Sequence, residues 1–348
     1  MATLLLGKMK NYQRLWRFLL LLILPVFLVV ACHQTTTTSS ASCRQIKHDL
    51  GETKICGQPQ KVVAIGPHML DILLSLGVQP VGYAEAEPFR QPVFDNPAQQ
   101  IPYLGEQVTS KPVNIGRRGE PSLEALLQVT PDLVLGENFG QEYYAKLAQV
   151  VPTLLFSGSG KEQWQGSLKT VAQALGKEEQ AKQVIAKYNQ QLSNTRQQLA
   201  PIVADHPRLL LLASNDLKEY LDVRTGADYT GGLLADLGFE LVAPLGLEKT
   251  AEITQISLEV LPTFNADIIV VLAWSANFPY DLDKVRQEWS QNSLAQTMPA
   301  SRNGRVYFVD YHLWSNIRGA IASAKILHQA ENLFKTKKIA NNLFSFTL

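Results

Sequence analysis

The stretch PSLEALLQVTPDLVLG, Pro121 to Gly136, returns in the second half of the chain as ISLEVLPTFNADIIVV, Ile256 to Val271. Ser122, Leu123, Glu124 and Asp132 align with Ser257, Leu258, Glu259 and Asp267 without a gap. Each copy reads as Ser-Leu-Glu opening a short helix, then an aspartate, then an apolar run of strand length. Alternating helices and apolar strands imply a mostly parallel sheet covered by helices. A chain that carries this unit twice is predicted to build two similar α/β lobes. The length of 348 residues, more than one core usually holds, agrees.

The remaining pattern fills in both units. From Lys61, KVVAI is a strand bounded by Gly66-Pro67, and MLDILLSLG has helical apolar spacing with Gly77 as its C-cap. VQPVGYAE, DLVLG and PTLLF read as further strands. Between Lys161 and Ala200 there is no proline, and the only glycines are Gly166 and Gly176. Leu168, Val171, Ala172 and Leu175 recur at helical spacing, as do Val184, Ile185, Tyr188 and Leu192. One or two helices are predicted, the second long and stopping at Pro201. RLLLLAS, TGGLLADLGF, DIIVVLA and GRVYFVD then build the second unit. The expected organisation is an N-terminal α/β lobe over residues 43–160, a connecting helix over 161–200 and a C-terminal α/β lobe over 201–348, with a cleft between the lobes.

The N-terminus reads as an export signal. Lys8, Lys10, Arg14 and Arg17 precede the apolar run Phe18 to Val30, and Ala31-Cys32 follows. That run rises only about 20 Å as a helix, short of a membrane's hydrocarbon core. Val29-Val30-Ala31-Cys32 resembles a bacterial lipobox. It implies cleavage of residues 1–31 and acylation of Cys32, with the polar segment 32–42 as a tether. An exported domain lies where disulfides persist, so the remaining Cys43 and Cys56 are expected to pair across the hairpin CRQIKHDLGETKIC. Closing so short a loop contributes about 3 kcal/mol in the chain-entropy model. The expected location is outside the cytoplasm, anchored by lipid, facing the periplasm or the cell exterior.

Composition excludes several functions. A net charge of +1 offers no global field for nucleic acid. The six histidines, His33, His48, His68, His206, His312 and His328, form no i, i+4 pair, so a receptor for naked metal ions is not indicated and they read as surface or capping residues. No G-x-S-x-G elbow, Walker loop or H-E-x-x-H appears, so Ser214, Asp216 and Glu219, or His312 beside Asp310, do not make an enzyme.

The order GRRGEPSLEALLQVTPDLVLG, TGGLLADLG, SLEVLPTFNADIIVV and NGRVYFVDYHLW with RGAIASAKIL resembles the substrate-binding proteins of ABC importers for ferric siderophores, haem and cobalamin. The likeness runs from about Cys43 to Ala330. It implies two Rossmann-like α/β lobes joined by one long rigid helix, with limited closure on the ligand. It also gives the repeated glutamates a role, since each lobe of such a protein presents a glutamate to arginines of one permease subunit. Glu124 and Glu259 hold the matching positions, and the implied partners are a two-fold permease with its ATPase subunits. The iron complex would be cargo, with no resident cofactor or metal.

A ferric siderophore needs cationic forks for its oxygens and flat aromatic walls for its arms. In hydroxamate receptors of this family an arginine two residues after the loop glycine touches the iron-bound oxygens. That register falls on Arg118 after Gly116, with Arg117 its neighbour. Arg224, in YLDVRTGADYTGGLL, is placed in a loop before a helix of the second lobe. Trp274 follows the strand DIIVVLA, and Tyr311, Trp314 and Arg318 follow RVYFVD, at the carboxyl ends where open α/β sheets place ligand loops. Pro67 and His68, and Tyr83 and Glu85, end the first two strands in the same manner. Hydroxamate, citrate-type and catecholate ligands all remain open. So does a haem or cobalamin, with Tyr311 or His312 available as an axial haem ligand.

Overall fold

A computed structural model describes residues 42–335, apart from 50, 87–92, 138–140, 158–159, 162, 215–216, 218–220, 245, 247–250 and 274–281. The signal segment 1–31, Cys32 with nearly all of its tether, and Trp274 therefore lie outside the described residues.

Strands β1 (Cys43–His48) and β2 (Gly51–Cys56) pair antiparallel with Cys43 opposite Cys56, and a disulfide joins the two. Ile46 and Ile55 turn inward from this hairpin and are fully buried. Arg44 fastens it to the rest of the lobe by donating to the carbonyls of Gln173, Gly57 and Ala174.

The first lobe continues through β3 (Val62–Ile65), α1 (Pro67–Ser75), β4 (Gly82–Glu85), α2 (Pro97–Gln100), β5 (Val113–Arg117), β6 (Glu120–Pro121), α3 (Leu123–Gln128), β7 (Leu133–Glu137), α4 (Gln141–Leu147) and β8 (Thr153–Phe156). Its sheet has the order β6-β5-β4-β3-β7-β8, and every pair is parallel except the two-residue β6. β3, β7 and β8 are buried along their whole length, as helices on both faces require.

Two helices follow, α5 (Gln163–Leu175) and α6 (Glu178–Asp205). Leu168, Val171, Ala172 and Leu175 are buried as their spacing predicts, and Trp164 meets Tyr188 edge-on at 5.0 Å. α6 does not stop at Pro201 but continues to Asp205. Proline withdraws one amide donor there. Ile202 and Val203 pack on the core beyond it, and the His206 amide closes the turn on the Ile202 carbonyl at 2.8 Å.

The second lobe comprises β9 (Arg208–Ser214), β10 (Leu221–Arg224), α7 (Tyr229–Asp236), β11 (Glu240–Leu241), β12 (Ile253–Ile256), β13 (Ile268–Ala273), α8 (Leu282–Gln291), α9 (Ser293–Thr297), α10 (Pro299–Arg302), β14 (Val306–Asp310), a π-helical turn over His312–Ile317 and α11 (Ala320–Lys335). The sheet runs β12-β10-β9-β13-β14, with β11 alongside β9. β10 and β12 are antiparallel, so this sheet is mixed. α11 packs along α6.

The repeated segment keeps its hydrogen bonds more faithfully than its helix. In the first copy Ser122 caps α3, its hydroxyl accepting from the Ala125 amide at 3.2 Å. In the second, Leu258–Thr263 is a tighter 3-10 turn containing Pro262. The aspartates do the same work in both. Asp132 accepts from the Gln60 and Lys61 amides at 2.8 and 2.9 Å and donates its own amide to the Lys61 carbonyl. Asp267 accepts from the Arg208 amide at 3.0 Å and donates back to the Arg208 carbonyl. Each aspartate fixes the entry of the neighbouring central strand, β3 or β9.

Candidate functional site

Because β3, β4, β5 and β7 are parallel, their carboxyl ends open on one edge of the first sheet, the edge where such folds place ligands. Gly66 follows β3, Glu85 ends β4, Arg117 ends β5 with Arg118 next, and Glu137 ends β7. The second lobe meets this edge with Asp310 at the end of β14 and the turn that runs on to Arg318.

At the centre is a buried carboxylate held by two arginines. Arg318 Nη2 donates to Glu137 Oε1, and Arg118 Nη1 lies 3.9 Å from Glu137 Oε2. Arg118 also reaches across the lobes to Asn316 Oδ1 at 3.5 Å, while its own amide donates to the Glu85 carbonyl at 2.8 Å. Gly66, at φ 101°, makes room for this group, since a Cβ there would lie 2.4 Å from Glu137 Oε2. The Arg318 backbone is left-handed, with φ 53°, and its carbonyl receives His68 Nδ1 at 2.5 Å. Burial, and then the Arg318 charge, push His68 down to about 4, so the imidazole is neutral at physiological pH.

A second strand of contacts runs from Glu85. The Tyr83 hydroxyl and the Ala86 amide each donate to one of its oxygens at 2.6 Å. Burial, then the Glu85 charge, push the Tyr83 hydroxyl well above the usual range. His312 Nε2 lies 3.9 Å from Glu85, and Tyr103 stacks on the His312 ring at 6.2 Å. The Tyr103 hydroxyl crosses the lobes to donate to Asp310 at 2.6 Å.

Arg224 does not lie in a loop. It ends β10, is nearly fully buried, and donates to Asp228 and to the Tyr311 hydroxyl, both at 3.1 Å. Asp228 also caps α7 through the Thr230 and Gly231 amides. Burial opposes the Arg224 charge, but Tyr311 and Asp228 outweigh it and hold the guanidinium above its ordinary range.

The residues expected at the site thus have different fates. Arg118 and Arg318 meet polar partners across the lobes, while Arg224 and Tyr311 pair with each other within the second lobe. Arg117 is exposed in the hairpin turn opposite Glu120. Trp314 is no wall: it has no exposed surface, and its indole nitrogen donates inward to Gln329 at 2.8 Å. The π-helical turn rotates it into the core. His68 and His312 are buried rather than on the surface. Sequence reasoning missed Glu137, Asp310, Asn316 and Tyr103. Glu137 and Asp310 terminate apolar strands, the signal that brought Glu85 to notice. Tyr103 sits in an irregular loop and carries no signal.

Glu124 and Glu259 are both exposed, beside the exposed apolar residues Leu127 and Val260. The Ser257 side chain, hydrogen-bonded to Glu259, holds that carboxyl below its usual range. Among the described residues no group of His, Cys, Asp or Glu has the makings of a metal site, and no helix is long and apolar enough to cross a membrane.

A family model described as "Periplasmic binding protein" matches residues 62–313. The probable siderophore-binding lipoprotein YfiY of Bacillus subtilis (strain 168) is 26% identical over 332 residues, covering 92% of this chain and 98% of that one. The Fe(3+)-citrate-binding protein YfmC of the same organism is 26% identical over 326 residues, 90% of this chain and 96% of its own. The crystal structure of Staphylococcus aureus SirA complexed with staphyloferrin B superposes with a TM-score of 0.69 at 25% identity, covering 83% of this chain and 98% of that one.

Proposed function

The chain belongs to the periplasmic binding protein family, whose members bind rather than transform, and we propose that it captures a ferric siderophore between its lobes and delivers it to an ABC importer for iron uptake. The observation that carries this reading is the convergence of Arg118, Arg318 and Tyr103 where the strand ends of one lobe meet the other, with Arg224 paired to Tyr311 on the second lobe next to Asp310. Arginine forks and tyrosine rings are the groups that grip an oxygen-wrapped metal with organic arms. Two relatives of nearly full-length overlap are named for siderophore and ferric citrate, which supports the same class.

In this reading Arg118 is the side chain best placed to turn toward cargo. It retains about a fifth of its exposure, and its contact with Glu137 is long, whereas Arg318 is buried against the same carboxylate. Glu124 and Glu259 dock the two lobes on a two-fold permease, and acylated Cys32 holds the receptor at the membrane. The relative YfiY is itself named a lipoprotein.

Tryptophan quenching and visible spectra after mixing the protein with ferric siderophores, haemin and cobalamin test the reading. Saturable quenching by a ferric siderophore, with no Soret shift from haemin, is the expected result. A Soret shift without siderophore quenching would overturn it. The haem reading needs an open axial ligand, but His312 is buried and the Tyr311 hydroxyl accepts from Arg224.

A further inference from the structure

The arginines of this site do not make it basic. Arg118 and Arg318 share Glu137, and Arg224 faces Asp228. Glu85 and Asp310 end strands at the same meeting of the lobes, so among the described residues the carboxylates outnumber the guanidiniums. His68 is neutral and adds nothing to the positive side.

These acids are built in by several donors each. Glu85 is held by Tyr83 and Ala86, Asp310 by Tyr103 and the His312 amide, and Asp228 by two amides of α7 besides Arg224. Gly66 is shaped around Glu137. An anionic ligand that drew Arg118 away from Glu137 would leave its own charge near a fixed, poorly hydrated carboxylate. Such repulsion is strong where water is sparse. A ligand with no net charge can take hydrogen bonds from the same arginines without that penalty. One with a pendant ammonium gains from Glu85 and Asp310.

The charge of a ferric complex follows from its chelating groups. Each hydroxamate gives up one proton, so a set of three balances iron(III). Each catecholate gives up two, so a set of three leaves a trianion, and citrate complexes are also anionic. We propose that this site selects ferric complexes of zero or positive net charge, the tris-hydroxamate class, over citrate and catecholate complexes. The proposal rests on the siderophore reading above and narrows it.

The test is a charge series at fixed ionic strength. The full chain, purified in detergent, is titrated with a cationic tris-hydroxamate (ferrioxamine B), a neutral tris-hydroxamate (ferrichrome), ferric citrate and a tris-catecholate (ferric enterobactin). The hydroxamates are expected to bind at least about tenfold tighter than either anion. Equal or tighter binding of ferric citrate or the tris-catecholate overturns the charge rule and leaves the siderophore reading standing. Binding of none of the four overturns both. Asp310→Asn, whose oxygen can still accept from the His312 amide while its NH2 donates to the Tyr103 hydroxyl, is expected to shift the preference toward ferric citrate by about threefold or more. An unchanged ratio in this variant would also count against the proposal.

Discussion

Two arginines on one carboxylate ask for different experiments. Arg118 keeps about a fifth of its exposure, so Arg118→Ala is expected to leave folding intact and weaken ferric-siderophore binding about tenfold or more, the scale of a lost charge-assisted contact of about 1.5–3 kcal/mol. Unchanged quenching titrations would remove Arg118 from the site. Arg318 is buried, and its loss strands Glu137 in a site with little water. Arg318→Ala is therefore expected to destabilise the fold by about 3–5 kcal/mol in urea denaturation, the usual cost of breaking a buried pair from one side. The Arg318–Glu137 pair is thus chiefly structural and the Arg118–Glu137 pair exchangeable. The sequence does not distinguish the two arginines, because both follow a strand and precede a helix. Burial and a left-handed φ, which separate them, arise from the π-helical turn, a local irregularity without a composition signature.

Elements are joined across the lobes by Asp71 of α1, whose oxygens accept the Ala322 and Ile321 amides at the start of α11. Burial pushes this carboxyl up to about 6, against the pull of those amides. A raised carboxyl binds its proton more tightly in the folded state, so its contribution is full below 3.8 and is lost as pH rises through about 6. His68, on the same helix, is pushed down to about 4, so its contribution is full above 6.5 and lost as pH falls through about 4. Between these values the two slopes oppose each other and largely cancel. Asp71→Asn removes one of them, so its stability relative to the unsubstituted protein is expected to rise by about 2 kcal/mol from pH 4 to pH 6. Parallel pH curves in urea denaturation would show that Asp71 does not titrate in this window. The apolar strands β3, β4, β7, β8, β9, β13 and β14, with α1, were legible in the sequence because buried apolar runs and helical spacing are local signals, whereas β10 read as a loop. The course of α6 past Pro201 and the mixed second sheet were not, since both depend on packing partners distant in the chain.

At the scale of the whole molecule, the duplication supplies two kinds of repeated carboxylate with separate duties. Asp132 and Asp267 face inward and fix the entries of β3 and β9, so each is accounted for by folding alone. Glu124 and Glu259 are exposed to solvent, and Glu259 also bonds the Ser257 side chain at the start of its turn. A two-fold partner needs the same contact twice, and oriented glutamate–arginine pairs can form and break within a transport cycle. Substituting both glutamates with alanine is expected to change stability by no more than about 0.5 kcal/mol, as exposed sites usually do, and to leave ligand titrations unaltered. Uptake of radioactive iron by proteoliposomes carrying the permease and its ATPase subunits should nonetheless fall to background. Each single substitution should retain part of the rate and show a weaker salt dependence than the unsubstituted protein, because one of two charged contacts remains. Full uptake by the double variant would leave the repeated glutamates as remnants of duplication and move the docking surface elsewhere on the lobes.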